Sequence, residues 1–144
     1  MNISENGIAL IKEHEGLRLV PYLDARNPPV WTVGYGSTTD VQPGERISQA
    51  QADERLKEDV KEAEACVNRC VTVELTQNEF DALCSFVFNV GCGNFKKSSM
   101  LKYLNSGDFD ATAYEFRRWT RAGDAHPPGL VKRRVAEQRL FESA

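Results

Sequence analysis

Apolar residues recur along this chain at two different spacings, and each change of spacing marks an element. Ile8 and Ile11 stand three apart with Glu15 four further on, the period of a short amphipathic helix that Ser4 can cap. From Leu17 the pattern turns β-like. Leu17, Leu19, Pro21 and Tyr22 lead to Asp24, and Arg26-Asn27-Pro28-Pro29 reads as a turn. Val30-Trp31-Thr32-Val33 then returns as a second strand, ending in the Gly34-Tyr35-Gly36 bend. Pro43-Gly44-Glu45 is a further turn, expected to close a third short strand.

Helical spacing then takes over. Ser48-Gln49-Ala50-Gln51 is a capping-box signal, and Leu56, Val60, Ala63, Val67 and Cys70 follow at intervals of four, three, four and three. The spacing predicts one long helix over 49–70, about 30 Å in length. Thr76-Gln77-Asn78-Glu79 is a second capping box. The helix behind it is apolar almost all round (Phe80, Leu83, Cys84, Phe86, Val87, Phe88, Val90), which predicts burial on every side. Gly91-Cys92-Gly93 ends it, and shorter helices are expected over 98–104, 108–119 and 130–141.

These elements give an α+β, mainly α fold: a small lobe of helix and β-hairpin or three-stranded sheet, and a larger helical lobe. The 144 residues suit a single domain, 1–144. Its small lobe is expected over 13–50, the long helix joining the lobes over 49–70, and the helical lobe over 71–144 with the N-terminal helix. The cleft between the lobes is the expected place for a site. No run of 18 apolar residues spans a membrane, and Lys12 interrupts the short apolar start.

Charge is unevenly divided. The net −3 hides a front part, 1–91, with 8 Lys and Arg against 15 Asp and Glu, and a back part, 92–144, with 10 against 6. A basic second half suits an anionic polymer, or is simply a solvated face. No basic-aromatic module points to nucleic acid. Four cysteines, Cys66, Cys70, Cys84 and Cys92, fit neither a zinc pattern nor a redox C-x-x-C pair. His14 and His126 lack an arranged set of partners, so neither a metal nor a cofactor is expected.

Two carboxyl groups at the corners of the helix–hairpin unit carry the candidate chemistry. Glu15 lies on the apolar stripe in the last helical turn, where burial and the helix dipole disfavour its ionised form. Asp24 sits in a polar turn beside Arg26 and should stay ionised. That split would make Glu15 the general acid and Asp24 the base or charge stabiliser, the minimal equipment for cleaving a glycosidic bond, although a solvated helix end suits Glu15 and plain turn chemistry suits Asp24 as well on spacing alone.

The run Glu15-Gly16-Leu17-Arg18-Leu19 through Tyr22-Leu23-Asp24, followed by Trp31-Thr32-Val33-Gly34-Tyr35-Gly36, resembles the active-site signature of phage-type lysozymes, the endolysins of glycoside hydrolase family 24. Leu75-Thr76-Gln77-Asn78, Asp81-Ala82-Leu83, Ser85-Phe86-Val87-Phe88-Asn89-Val90-Gly91 and Pro128-Gly129-Leu130-Val131-Lys132-Arg133-Arg134 appear in family order, so the resemblance covers roughly 8–141. It implies a lysozyme-like fold, with Thr32 holding the attacking water beside Asp24. It also places Thr38, Phe88 and Ser98 along the saccharide, although core packing suits Phe88 and a helix cap suits Ser98 equally well. Two departures stand out. Ser37 replaces the family's usual His after Gly-Tyr-Gly, and Asn27-Pro28-Pro29 lengthens the segment between Asp24 and Thr32.

The resemblance implies a muramidase that cleaves the β-1,4 bond between N-acetylmuramic acid and N-acetylglucosamine in bacterial peptidoglycan. The reaction would invert the anomeric carbon, with carboxyls about 6.5–9.5 Å apart. A monomer is implied, held in the host cytoplasm without stable membrane insertion until a holin releases it to the periplasm and cell wall for lysis. In that cytoplasm all four cysteines are expected as thiols, with a bridge from Cys66 or Cys70 to Cys92 left open after release. Two rivals stay open. A lytic transglycosylase would cut the same bond with Glu15 but without Asp24, and a non-catalytic wall-binding or membrane-perturbing protein would need neither.

Overall fold

The computed structural model describes residues 1–143. In chain order it contains α1 (Glu5–Glu15), β1 (Arg18–Leu23), β2 (Trp31–Gly34), α2 (Gln49–Cys70), α3 (Gln77–Val90), α4 (Cys92–Lys97), α5 (Ser99–Asn105), α6 (Phe109–Glu115), a 3-10 turn (Phe116–Arg118) and α7 (Pro128–Glu142). The fold is α+β and mainly α, with one small antiparallel sheet among the described residues. No described helix is long and apolar enough to cross a membrane. The chain divides into two compact units. One is Lys12–Lys61, and the other joins Met1–Ile11 to the chain from Glu62 onward, so the division falls inside both α1 and α2.

In the Lys12–Lys61 unit, β1 and β2 pair antiparallel with Tyr22 opposite Thr32 and Leu23 opposite Trp31. The register is irregular between Arg18 and Tyr22. Between the strands, Asn27–Pro28 is a cis peptide bond. The expected third strand is absent among the described residues. The chain before α2 is instead a loop, held to β1 by a single strand-like bond from Ile47 N–H to the Leu19 carbonyl, 2.9 Å. Arg55 ties this loop down by donating to the carbonyls of Thr39 and Asp40 at 2.7 and 3.2 Å. The α2 capping box forms as the sequence implies. Gln51 N–H donates to Ser48 Oγ at 3.1 Å, and Ser48 N–H to Gln51 Oε1 at 2.8 Å. Leu56 and Val60 turn the apolar stripe of α2 inward.

The other unit is built around α3, whose buried stretch runs from Phe80 to Val87 without interruption. Thr76 and Glu79 complete its capping box, as the spacing predicts. The Phe86 ring meets Phe116, Trp119 and Phe95 edge-on at centroid distances of 5.4, 5.5 and 6.4 Å. Edge-to-face contacts of this kind add to area burial. Ser98 and Asp108 cap α5 and α6 through their side chains. Ser4 does not cap α1 in the expected way. Its hydroxyl and its N–H both donate to the buried carboxylate of Asp81, which also accepts from Gln77 at 2.8 Å.

The structure does not carry the four thiols expected for the cytoplasm, but one of the two bridges to Cys92 left open after release. Cys66 and Cys92 form a disulfide with Cα atoms 5.9 Å apart, and Cys70 and Cys84 are free. The bridge ties the last turns of α2 to the start of α4, a helix that Gly91-Cys92-Gly93 conceals in the sequence.

Candidate active site

Glu15, Asp24, Thr32 and Thr38 all fall in the Lys12–Lys61 unit, whereas Phe88 and Ser98 fall in the other. Glu15 is the last residue of α1 and half-buried. Gly16 follows, and its N–H returns to the Lys12 carbonyl at 3.1 Å, closing the helix beneath the carboxyl group. The Gly36 backbone comes close to that carboxyl: a methyl group at Gly36 would stand 3.0 Å from Glu15 Oε1. Gly36 has φ of +84°, which strains an L side chain, so both its conformation and the approach of Glu15 favour glycine.

The bend is itself held in place. Lys12 Nζ pairs with Asp53 Oδ1 at 2.9 Å and lies 5.3 Å from the Tyr35 ring centroid, while Gln49 Nε2 donates to the Tyr35 hydroxyl at 3.0 Å. One cluster of side chains thus joins the end of α1, the Gly-Tyr-Gly bend and the start of α2. Ser37, which departs from the pattern that the resemblance implies, is buried and donates its hydroxyl to Asp59 Oδ2 at 2.6 Å. Its N–H and carbonyl exchange 2.9 Å bonds with Val33, so the departure from the family pattern still ties the bend to α2.

Asp24 follows β1 and is pinned on several sides. Oδ1 accepts from the N–H groups of Val30 and Arg26 at 3.0 and 3.1 Å, and Oδ2 pairs with Arg26 Nε at 2.5 Å. Desolvation pushes this carboxyl upward. The Val30 and Arg26 N–H groups, together with the Arg26 guanidinium, outweigh it and hold the group below the usual carboxylate range. Asp24 is therefore ionised at neutral pH, as the turn chemistry implies.

Thr32 is buried, with its hydroxyl donating to the Val30 carbonyl at 2.9 Å and standing 3.4 Å from Asp24 Oδ2. That second contact is long for an O–H···O bond. Two oxygens at such a separation can instead share one water, each at about 2.8 Å. The extra residues Asn27-Pro28-Pro29 therefore leave Thr32 beside Asp24, held by the Tyr22–Thr32 register of the hairpin.

The remaining three residues differ. Thr38 is half-buried just past the bend. Phe88 is half-buried and packs against the core of its unit. Ser98 is occupied by its cap, accepting from Leu101 N–H at 3.1 Å and donating to the Phe95 carbonyl at 2.6 Å.

The phage lysozyme family model matches residues 12–137, a span holding every one of these residues. The chain belongs to the phage lysozyme family. It is 47% identical over 148 residues to the endolysin of Acyrthosiphon pisum secondary endosymbiont phage 1, and the match covers all of both chains. It is 40% identical to the endolysin of Salmonella phage P22, across 99% of each. Among solved structures, the muramidase domain of SpmX from Asticcacaulis excentricus matches with a TM-score of 0.93 at 35% identity over 99% of both chains. A mutant P22 lysozyme matches at 0.89 and 38% identity, again over 99% of both. The chain is thus a lysozyme-class enzyme on the lysozyme fold.

Two features of this phage lysozyme escape a reading of spacing alone. Gly36 looks like turn chemistry, and its closeness to Glu15 is a contact that no local pattern encodes. Buried polar groups also gather in the larger unit, where Glu137 accepts from Ser85 Oγ at 2.6 Å and pairs with Arg134 at 2.8 Å and Arg133 at 3.2 Å. Arg134 further donates to the Trp119 carbonyl at 2.8 Å and to Asn89 Oδ1. The basic run Lys132-Arg133-Arg134 therefore gives two of its members, Arg133 and Arg134, to the interior of its unit.

Proposed function

We propose that this lysozyme is an endolysin muramidase that hydrolyses the β-1,4 bond between N-acetylmuramic acid and N-acetylglucosamine of bacterial peptidoglycan, with inversion. The Asp24–Thr32 pair carries the reading. An ionised carboxylate and a hydroxyl whose own proton is committed to Val30 present two acceptors 3.4 Å apart to a single water. In the proposed reaction Glu15 protonates the leaving oxygen, and the water held by Asp24 and Thr32 enters from the opposite face.

The lowered Asp24 pKa refines that role. A general base works best with a pKa near the working pH, and Asp24 lies well to the acid side. Its main contribution is then to orient the water and to stabilise the positive charge of the oxocarbenium-like transition state, with proton transfer late. In the same reading the enzyme waits in the host cytoplasm, is released with a holin's help, and acts in the periplasm as a monomer. Thr38 and Phe88 line the saccharide. Ser98 is the third proposed saccharide contact, although its hydroxyl is already used within its own unit.

The test compares wild type with Glu15→Gln and Asp24→Asn on purified peptidoglycan, with folding checked for each. Both variants are expected to be folded and inactive, and the wild-type product should carry the inverted anomer by NMR at early time. A retained anomer would overturn the mechanism. An anhydro-muramyl product with Asp24→Asn still active would establish a transglycosylase instead, and undiminished solubilisation of the peptidoglycan by both variants would remove the catalytic reading.

A further inference from the structure

The cysteines hold more than a static bridge. Sγ of Cys66, Cys70 and Cys92 lie within 4.8 Å of one another, although only Cys66 and Cys92 are bonded. Cys66 and Cys70 are four residues apart on α2 and present their sulphurs to Cys92 from consecutive turns. Cys66 is fully buried in the core, whereas Cys70 and Cys92 are half-buried. An Arg69 guanidinium nitrogen lies 3.5 Å from Cys92 Sγ, where it favours negative charge on sulphur. The fourth cysteine, Cys84, is sealed in the core, and burial pushes its thiol far above the usual range.

These positions rank the thiols by chemistry. A fully buried thiol holds little thiolate and meets no oxidant from solution, so Cys66 is poorly placed to begin. A bond between Cys66 and Cys70 would have to close within one helix face, a poor geometry. Cys92 can pair with either.

We propose that Cys66, Cys70 and Cys92 form a three-sulphur exchange site, in which a Cys70–Cys92 disulfide forms first and then passes to Cys66. The co-reactant is a small disulfide, RSSR. One of the two half-buried thiolates, Cys70 or Cys92, attacks RSSR, forming a mixed disulfide and expelling RS⁻. The other attacks the protein sulphur of that mixed disulfide, forming Cys70–Cys92 and expelling a second RS⁻. Cys66 then attacks Cys92 Sγ. The Cys70–Cys92 bond breaks, Cys66–Cys92 forms, and Cys70 leaves as thiolate to take up the proton that Cys66 gives up. Two protein thiols are oxidised and one RSSR is reduced to two thiols. The product is the bond in the structure, with one sulphur sealed from solvent thiols.

The test follows oxidation of the fully reduced chain by oxidised glutathione, with acid quenching, alkylation and peptide mass mapping over time. Wild type should show Cys70–Cys92 early and Cys66–Cys92 late. Cys66→Ser should stop at Cys70–Cys92, and Cys84→Ser should behave as wild type. Cys70→Ser should form the final bond at least about tenfold more slowly, a small part of the gain from holding reacting groups together. Circular dichroism checks that each variant is folded, and the wild-type and Cys66→Ser time courses decide the matter should Cys70→Ser fail to fold. Oxidation of folded Cys70→Ser at the wild-type rate, or the absence of a Cys70–Cys92 link in both wild type and Cys66→Ser, would overturn the proposal.

Discussion

Replacing Gly36 by Ala perturbs the site through a single methyl group. Two effects follow, and the structure supplies a control that separates them. The first is conformational: φ at Gly36 is +84°, and a left-handed backbone costs an L residue about 1–2 kcal/mol. Gly44 has φ of +80° with nothing within 4 Å of the point a Cβ would occupy, so Gly44→Ala carries the same strain and no contact. The second effect is steric and belongs to Gly36 alone. Its methyl would stand 3.0 Å from Glu15 Oε1, and the carboxyl must give way by a few tenths of an ångström. A misplacement of about 1 Å costs on the order of a hundredfold in rate, so a shift this small should cost about threefold to tenfold. Urea unfolding should therefore show similar losses for the two variants. Peptidoglycan solubilisation, measured as kcat/KM, should fall for Gly36→Ala and hold for Gly44→Ala. Equal, undiminished kcat/KM in both, with the expected loss of stability, would refute the claim that the placement of the Glu15 carboxyl governs the rate.

Two further outcomes follow from the charged groups. Arg26→Ala removes a cation that favours ionised Asp24, so the Asp24 pKa rises and the acid limb of the kcat/KM profile should move to higher pH; an unmoved limb would remove Arg26 from the site's electrostatics. Stability carries the same sign. With its folded pKa lowered, Asp24 stabilises the fold above the usual carboxylate range and loses that contribution as pH falls through the folded value, and Arg26→Ala should shrink the contribution and complete its loss at higher pH. Glu137→Gln leaves the buried guanidiniums of Arg133 and Arg134 without their counter-charge, and breaking a buried pair in this way costs about 3–5 kcal/mol. Chemical denaturation reads this directly, and a loss below about 1 kcal/mol would show that Asn89 and the backbone carbonyls alone satisfy the two arginines.

The sequence is most legible where the physics is local. α2 and α3 lie where their apolar periods and capping boxes put them, because a capping box satisfies backbone donors within four residues. The hairpin is readable for the same reason, and so is the ionised state of Asp24, whose Val30 and Arg26 donors lie within six residues of it. Where a distant partner decides, the reading fails. Ser4 has the makings of a helix cap, but Asp81, 77 positions away, takes its hydroxyl. The third strand needs a continuous partner edge and finds one bond, at Ile47. The Cys66–Cys92 pair depends on how α4 meets α2, and a short helix behind two glycines leaves no period to detect. Gly36 is legible as a turn and illegible as the neighbour of Glu15.

That disulfide also acts on a state in which no fold exists. It joins positions 26 residues apart, and closing a loop of that length removes freedom from the unfolded chain worth about 3–4 kcal/mol. Domains are commonly stable by only about 5–15 kcal/mol, so this one bond is a large share of the margin. The same sequence is therefore two materials. Reduced, it is a softer chain that opens more often and yields sooner to proteases. Oxidised, it is a harder one, and the change is set by the redox poise of its surroundings rather than by any residue near the carboxylates.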